Sequence, residues 1–378
     1  MRDIRIGLVV GASRATVGGR GAVAAIRNGR PAFRIPAGRS VTLTPDGRAF
    51  RVSGAHRGRY EQLSFASLAA GRHVAVNDNR YRGVIEVIVR DGGLTVINAL
   101  PLEDYLRGVV ITEMGRRPRS ERAALEAQAV VSRTYALKNR GRFGSSGYDL
   151  HSGVTDQVYG GVDRETDDGD AAVRATAGIV LAYQGDPIVA LFHSTCGFST
   201  AAPEEVFRTV RATPYLRPVS DRRPGGGYYG DIAPRFRWTV EWDGNTIRDI
   251  LRRTLPAVLG VDPDAISEIQ DIYVRRTGPS GRATDVRVRV PSGEIPVPGY
   301  AVRRVFETPE GSPLGSSAIE FTTERDGNRV TRVTVSGLGW GHGVGLCQWG
   351  AVGRARAGQD YRTIVTTYFP GSSLVRWY

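Results

Sequence analysis

"PLEDYLRGVVITEM", residues 101–114, and "ERAALEAQAVVSRTYALKNR", residues 121–140, carry helical patterns in a chain otherwise rich in strand patterns. Leu102, Leu106 and Val109 follow one another at steps of four and three residues, as on one face of an α-helix. The second stretch consists mainly of strong helix formers, and basic residues occupy its last turn. The sequence therefore predicts two helices, around residues 102–114 and 120–140.

Strand patterns surround this helical pair. Alternating β-branched residues occur in the following runs: 4–10, 40–45, 48–54, 83–100, 283–290 and 329–335. Within residues 83–100, Asp91 and Gly92 form a dipeptide that strongly predicts a two-residue hairpin turn. A shorter helical pattern covers residues 244–255, and "RETDDGD", residues 164–170, is typical of a surface loop.

These elements show neither an internal repeat nor a regular β-α alternation. That organisation predicts the α+β class, β-rich with a central pair of helices, rather than a doubly wound sheet. We predict a β-rich N-terminal region over residues 1–98 and a second region over residues 99–378. The second region contains a β-rich subdomain around residues 238–335.

Composition describes an ordinary globular protein of 378 residues, with 41% hydrophobic residues and a mean hydropathy of -0.24. No apolar run approaches the roughly 20 residues that span a bilayer. The apolar run at residues 4–10 is too short for the core of a signal peptide. We expect a cytoplasmic chain or a mature form from which an export signal has been removed.

The net charge of +13 favours a polyanionic partner. The basic residues are almost all arginine, with Lys138 the only lysine, and they are spread along the whole chain. No helix-turn-helix, zinc-finger or RNA-recognition pattern accompanies them, so we predict no nucleic-acid partner. The charge gives weak support to an anionic substrate.

Glu113 is the most informative carboxylate. Glu113 follows Val109 by four residues, so it lies on the same apolar face of the first helix as Leu102, Leu106 and Val109. Such a face disfavours the charged form, which raises a carboxyl pKa and allows proton donation near neutrality. The alternative is that Glu113 lies past the helix end and is solvated, and periodicity alone favours this alternative.

Two histidine–cysteine pairs are the other candidates for chemistry: His193 with Cys196, and His342 with Cys347. Imidazole and thiolate are usual zinc ligands. The two cysteines could equally form a disulfide in an oxidising compartment. A cysteine nucleophile activated by a histidine, or two buried thiols that only pack, are further alternatives. The spacings do not decide between them.

"SGLGWGHGVGLCQWGA", residues 336–351, has glycine at every second position from Gly337 to Gly345. In an extended conformation, one face of this stretch would have no side chains. Glycine inside a strand often marks the close approach of another backbone or of a ligand. We therefore expect an extended segment with a close neighbour.

Five blocks, in this order, resemble the SpoIID/LytB domain family of stage II sporulation protein D-like peptidoglycan enzymes and related amidase enhancers. They are "LPLEDYLRGVVITEM", "ALEAQAVVSRTYAL", "DQVYGG", "FHSTCG" and "GWGHGVGLCQWGA", and together they span most of residues 83–378. The resemblance implies a lytic transglycosylase that cleaves between N-acetylmuramic acid and N-acetylglucosamine and leaves 1,6-anhydromuramyl ends. It implies that Glu113, in the context "ITEM", is the catalytic residue.

The mechanism implied by the resemblance uses one carboxyl. Protonated Glu113 would protonate the glycosidic oxygen and then accept the proton of the muramic 6-hydroxyl, which attacks C1. Most glycosidases need a second carboxylate. An intramolecular nucleophile removes that need because it is already held near the reacting carbon. No cofactor is implied.

The resemblance also implies a long open substrate groove. The residues it suggests for substrate binding are Arg133, Tyr135, Gln157, His193, Ser194, Trp340, His342, Gln348 and Trp349. The resemblance also brings Cys196 and Cys347 together, and we predict a disulfide between them. The alternative is a zinc ion bound by Cys196, Cys347, His193 and His342. Some members bind metal ahead of "QVYGG", but this chain offers only His151 and Asp156 there and no cysteine, so we predict no metal at that position.

The expected partners are peptidoglycan glycan strands and a cell-wall amidase, and the expected location is extracytoplasmic, in the periplasm or cell wall. We expect that this chain carries no signal or anchor segment of its own. Two other functions are considered: a non-catalytic glycan-binding enhancer of an amidase, and a cysteine peptidase that uses Cys196 or Cys347.

Overall fold

The computed structural model describes residues 3–208 and 212–378, which divide into two compact units. Unit 1 comprises the chain up to Leu181 together with Asp186–Val189 and Val375–Tyr378. Unit 2 comprises Ala182–Gly185 and Ala190–Leu374. Helices make up 27% and strands 38% of the structure, which confirms the predicted α+β class.

Unit 1 is built on two mainly antiparallel sheets. Their strands are β1 (Asp3–Ala12), β2 (Ala15–Gly18), β3 (Val23–Arg27), β4 (Arg30–Ile35), β5 (Ser40–Asp46), β6 (Ala49–Gly54), β7 (Gly58–Tyr60), β8 (Gln62–Ser67), β9 (Val74–Val76), β10 (Asn79–Tyr81), β11 (Val84–Arg90), β12 (Gly93–Pro101) and β13 (Leu150–His151). One sheet has the order β13-β1-β12-β11-β8-β3-β4, and the other has the order β10-β9-β2-β5-β6-β7. All four strand runs predicted before residue 101 are confirmed.

The turn between β11 and β12 is the predicted two-residue hairpin. Arg90 pairs with Gly93, so only two residues connect the strands. Asp91 has φ 48° and Gly92 has φ 77°. Two positive φ angles are what a type I′ turn requires, and Asp-Gly satisfies this requirement at low cost.

Three helices pack against one another in unit 1: α1 (Leu102–Met114), α2 (Arg122–Lys138) and α3 (Asp167–Ala175). The first two confirm the predicted pair. The third corrects the loop predicted over residues 164–170, because the chain becomes helical at Asp167. The side chain of Thr166 caps this helix by accepting a hydrogen bond from the N–H of Gly169, 3.2 Å away.

Short strands lie near the points where the chain passes between the units. They are β14 (Ile179–Tyr183), β15 (Asp186–Pro187) and, later in the chain, β24 (Ser373–Arg376).

Unit 2 contains the remaining elements. Its strands are β16 (Phe192–His193), β17 (Arg237–Asp243), β18 (Asp271–Thr277), β19 (Ala283–Val290), β20 (Gly293–Pro298), β21 (Ile319–Asp326), β22 (Arg329–Leu338) and β23 (Leu346–Cys347). Its helices are α4 (Pro203–Val206), α5 (Gly244–Leu259), α6 (Gly299–Val305), α7 (Gln348–Arg356) and α8 (Tyr361–Tyr368). The predicted helix at 244–255 and the predicted strands at 283–290 and 329–335 are thereby confirmed.

Two three-stranded antiparallel sheets in unit 2, β17-β22-β21 and β18-β19-β20, pack with α5 and α6 around one hydrophobic core. This core lies within the range predicted as a subdomain, residues 238–335. The predicted boundary between residues 98 and 99 lies inside unit 1, and the division into domains stays a prediction.

The glycine-rich stretch is a loop over residues 339–345, between β22 and β23, which corrects the extended conformation expected from its alternation. Strand β22 ends at Leu338, and the alternate glycines that follow have φ angles of 80° (Gly339), 110° (Gly341), 84° (Gly343) and 75° (Gly345). These are left-handed conformations that favour glycine.

The expected close neighbour of this loop is the chain of unit 2 itself. A Cβ atom on Gly345 would lie 2.1 Å from the carbonyl oxygen of Leu191, and one on Gly339 would lie 2.6 Å from that of Thr195. The glycines therefore let two backbone segments pack directly against each other.

Within residues 3–208 and 212–378, we find no helix that combines the length and the apolar character needed to cross a membrane.

Candidate active site

Glu113 lies in the last turn of α1, which ends when Gly115 adopts a φ of 70°. Its side chain is half-buried. Oε1 of Glu113 accepts a hydrogen bond of 2.7 Å from the backbone N–H of Val158. Two of the sequence blocks, "ITEM" and "DQVYGG", therefore meet at this carboxyl. Sequence reasoning missed Val158 because it acts through its backbone, which no side-chain pattern reveals.

Tyr105 and Gln157 lie in the same part of unit 1, and both are fully buried. Nε2 of Gln157 lies 3.5 Å from the Tyr105 hydroxyl and 3.3 Å from the carbonyl oxygen of Ser132. Burial raises the pKa of Tyr105 well above its usual value, and the nearby carboxylates of Asp156 and Glu113 raise it further. Tyr105 is therefore a neutral phenol. Gln157 has no exposed surface in this structure, and its role in substrate binding stays a prediction.

Arg133, on α2, is the second predicted substrate-binding residue that lies inside unit 1. Its guanidinium is fully buried, and it donates to both carboxylate oxygens of Glu103 and to the carbonyl oxygen of Ile179. Its substrate-binding role stays a prediction, and its side chain has no exposed surface in this structure. The reason is that α2 is buried on nearly every side.

Tyr135, on the same helix, is buried, and its hydroxyl donates to Oδ1 of Asp156 over 2.8 Å. Asp156 also accepts hydrogen bonds from Arg142 and from the backbone N–H of His151. The ring of His151 is hydrogen-bonded to the hydroxyl of Tyr148. At the position ahead of "QVYGG", the polar groups therefore bond to one another.

The blocks "FHSTCG" and "GWGHGVGLCQWGA" are adjacent within unit 2. Strands β16 and β23 pair in parallel, with His193 opposite Cys347. Thr195 and Trp340 form a second backbone bridge between the same two blocks. Glu113 belongs to unit 1, so a groove shared by Glu113 and these blocks stays a prediction.

Cys196 and Cys347 are fully buried free thiols, so the predicted disulfide is not formed in this structure. Instead, Sγ of Cys347 accepts hydrogen bonds of 3.2 Å from the backbone N–H groups of Cys196 and Gly350. Burial raises the pKa of Cys196 well above its usual value. Because both thiols are fully buried, they argue against a cysteine peptidase, which needs an accessible thiolate.

His342 is a neutral, half-buried imidazole. Burial, with a contribution from the charge of Arg303, lowers its pKa to about 4. Its Nδ1 accepts a hydrogen bond of 3.1 Å from the backbone N–H of Val344. Its ring centre lies 5.5 Å from those of both His193 and Phe207. Near neutral pH, His342 can exchange hydrogen bonds but carries no charge.

The remaining predicted substrate-binding residues differ in exposure. Ser194, Trp340 and Trp349 are half-buried, whereas His193 and Gln348 are buried. The guanidinium of Arg235 lies 4.4 Å from the ring centre of Trp340, a distance typical of a cation–π contact. The half-buried members keep partial surface for a ligand.

Comparison with known proteins places these features in a family. A family model described as stage II sporulation protein matches residues 90–183, which include α1, α2 and Glu113. The stage II sporulation protein D of Bacillus subtilis is 28% identical over 293 residues, covering 74% of this chain and 75% of that protein. The amidase enhancer of Bacillus subtilis is 27% identical over 306 residues, covering 72% of this chain. The chain belongs to the SpoIID/LytB family.

Within the SpoIID/LytB family, the extent of similarity differs between relatives. This chain spans 40% of the length of the amidase enhancer. An uncharacterized protein of Brachyspira hyodysenteriae is 30% identical over 305 residues, covering 79% of this chain and 73% of that protein. A second family model, a domain of unknown function (DUF8618), matches residues 225–345, all within unit 2.

Proposed function

We propose that this protein is a peptidoglycan lytic transglycosylase with Glu113 as its single acid and base. It cleaves the bond between N-acetylmuramic acid and N-acetylglucosamine and leaves 1,6-anhydromuramyl ends. The observation that supports this most strongly is the hydrogen bond from the N–H of Val158 to Oε1 of Glu113, because it orients a half-buried carboxyl at the end of a helix. A general acid must be held in position before it can transfer a proton efficiently.

The reaction needs two proton transfers at the same carboxyl. Protonated Glu113 gives its proton to the glycosidic oxygen as the bond to C1 breaks, and the departing sugar leaves with a free hydroxyl. The carboxylate then accepts the proton of the muramic 6-hydroxyl as that oxygen bonds to C1. The carboxyl ends the cycle protonated, and no water is consumed. An internal nucleophile makes a second carboxylate unnecessary.

The relatives supply the biological setting for the proposal. One is a sporulation protein and another an amidase enhancer, and both names support a role related to the cell wall. A glycan-strand substrate lies outside the cytoplasm, so we propose an extracytoplasmic location. Of the predicted substrate-binding residues, we retain those with exposed surface, Ser194, Trp340, His342 and Trp349, as candidates for glycan contact.

The test is mass spectrometry of muropeptides released from purified glycan strands. The wild-type protein is expected to release products with 1,6-anhydromuramyl ends. Glu113→Gln keeps the size of the side chain but cannot donate the proton, so its rate is expected to fall by about 10²–10⁴-fold. Asp104→Asn is the matched control, because it makes the same chemical change in the first turn of the same helix. Products with ordinary reducing ends, or full activity in Glu113→Gln, would contradict the proposal.

A second candidate function is stimulation of a cell-wall amidase without catalysis by this protein. The similarity to the amidase enhancer of Bacillus subtilis favours it. A purified amidase is assayed on cell walls with wild-type protein and with Glu113→Gln. Equal stimulation by both, together with no anhydro products from either, would favour the enhancer function over the enzyme.

A further inference from the structure

We propose that His193, Cys196 and Cys347 bind one Zn²⁺ ion in unit 2. One ring nitrogen of His193 and the two sulfur atoms all lie within 4.8 Å of one another, and all three residues are buried. In a tetrahedral zinc site, the bond lengths place such ligand atoms about 3.5–3.8 Å apart. The ligand atoms are therefore at most about 1.3 Å farther apart than in a zinc site. The site is independent of the chemistry proposed for Glu113.

The fold brings the three ligands together through backbone pairing. His193 and Cys347 are opposite each other in the parallel pair β16 and β23. Cys196 follows His193 by three residues, and its N–H donates to the sulfur of Cys347. The positions of the ligands are thus determined by hydrogen-bonded backbone rather than by flexible loops. A site of this kind is formed by folding alone, before any metal binds.

His193 has the tautomer that a zinc ligand requires. Its Nδ1 lies 3.2 Å from the carbonyl oxygen of Val344, and a carbonyl oxygen can only accept, so Nδ1 carries the hydrogen. Nε2 is then the nitrogen with a lone pair. It is buried and has no hydrogen-bond partner anywhere in the described residues. A metal-binding histidine typically donates its other N–H to a backbone carbonyl in this way. A buried hydrogen-bond acceptor without a partner destabilises the folded protein unless a ligand binds to it.

The sulfur of Cys347 lies among backbone N–H donors at the start of α7. It accepts hydrogen bonds from two backbone N–H groups and caps the N-terminus of α7, where the helix dipole stabilises negative charge. On binding, each of the two thiols loses its proton to the solvent, and each sulfur donates an electron pair to the ion. Two thiolates and a neutral imidazole balance the charge of Zn²⁺. The occupied site therefore adds no net charge beside the fully buried guanidinium of Arg282.

His342 is not a ligand in this proposal, which separates it from the four-residue alternative considered from the sequence. Its Nδ1 already accepts from the N–H of Val344, and its ring also bonds to the backbone of Phe192. The protein therefore supplies three ligands, and the fourth tetrahedral position is left to a water molecule. Three protein ligands and a water are an established zinc coordination.

The test is the zinc content of the full chain. Protein purified in metal-free buffer is incubated with zinc sulfate, dialysed and analysed by mass spectrometry of the elements. One zinc ion per chain is expected for the wild type, and background zinc for Cys196→Ser and Cys347→Ser. His342→Asn is the matched control and is expected to keep its zinc, because the asparagine oxygen can still accept from Val344. Circular dichroism verifies that each variant is folded.

Two measurements on the wild type keep the proposal testable if the serine variants do not fold. Cobalt(II) in place of zinc is expected to give the ultraviolet charge-transfer band of a thiolate ligand. Thiol titration in denaturant with a chelator, and without reductant, is expected to find two thiols per chain. A wild-type protein without zinc, a cobalt spectrum without that band, unchanged zinc in folded serine variants, or the absence of titratable thiols would each overturn the proposal. The last result would instead favour the disulfide.

Discussion

Arg133 and Glu103 form a bidentate ion pair, in which Nε and Nη2 of the arginine each lie 2.7 Å from a different carboxylate oxygen. The pair joins α2 to the first turn of α1, and Arg133 has no exposed surface. The hydroxyl of Tyr378 and the N–H of Gly178 also donate to Glu103. The helix that carries Glu113 in its last turn is thus held at its beginning by a partly buried network.

Arg133→Met is expected to lower the free energy of unfolding by about 3 kcal/mol or more, because it leaves the carboxylate of Glu103 without its main partner. Urea denaturation measures the change. Arg122→Met is the control on the same helix. Its ion pair with Glu126 is exposed, so its loss is expected to cost less than about 1 kcal/mol. Equal effects of the two substitutions would show that the buried pair contributes no more than the exposed one.

The same pair predicts a dependence of stability on pH. Burial alone would raise the pKa of Glu103, but the hydrogen bonds and charge of Arg133 hold it below its usual value. Because the folded-state pKa is lower than the unfolded one, the contribution is present above the unfolded pKa and is lost as pH falls through the folded pKa. Denaturation between about pH 5 and pH 3 should show a shallower slope for Glu103→Gln and for Arg133→Met than for wild type. An unchanged slope in both variants would exclude Glu103 as the source.

Glu113→Asp tests whether position as well as acidity matters at the proposed catalytic carboxyl. The shorter side chain keeps a carboxyl group but withdraws it by about the length of one bond, away from the hydrogen bond to Val158. A displacement of about 1 Å can cost about 10²-fold in rate. We expect transglycosylase activity to fall by about that factor while circular dichroism is unchanged. Activity equal to that of the wild type would mean that the hydrogen bond does not position the catalytic group.

Gly345→Ala and Gly358→Ala separate backbone strain from close packing. Both glycines have positive φ, 75° and 82°. A Cβ on Gly358 would have nothing within 4 Å, whereas one on Gly345 would lie 2.1 Å from the carbonyl oxygen of Leu191. Each substitution is expected to cost about 1–2 kcal/mol in strain, and Gly345→Ala about 1–3 kcal/mol more from overpacking. Thermal and urea denaturation give the difference, and equal costs would argue against the close approach.

Much of the fold could be predicted because its signals are local. The helices α1 and α2 follow from a stripe of apolar residues and from strong helix formers, and the hairpin follows from Asp91 and Gly92. In these cases the interactions that determine the structure lie within a few residues of one another. Periodicity alone favoured a solvated Glu113, whereas the structure has it half-buried within the last turn of α1.

The missed features depend on partners distant in the sequence. The guanidinium of Arg133 is buried because Glu103 lies 30 residues earlier and folds beside it, and no periodicity reveals such a pairing. The alternation of glycines from Gly337 to Gly345 has the period of a strand. Its cause is instead a loop whose φ angles and close neighbours favour glycine. The same limit applies to Val158, which reaches Glu113 with a backbone group.

The glycine loop, residues 339–345, also bears on how relatives of this protein can be recognised. Its glycines pack against the carbonyl oxygens of Leu191 and Thr195, so we expect the loop to contribute to stability whether or not any sugar is cleaved. A relative without Glu113 would still need these glycines for that stability. Under the proposed mechanism, the loop in a genome sequence therefore identifies the architecture, and Glu113 distinguishes a catalytic from a non-catalytic copy.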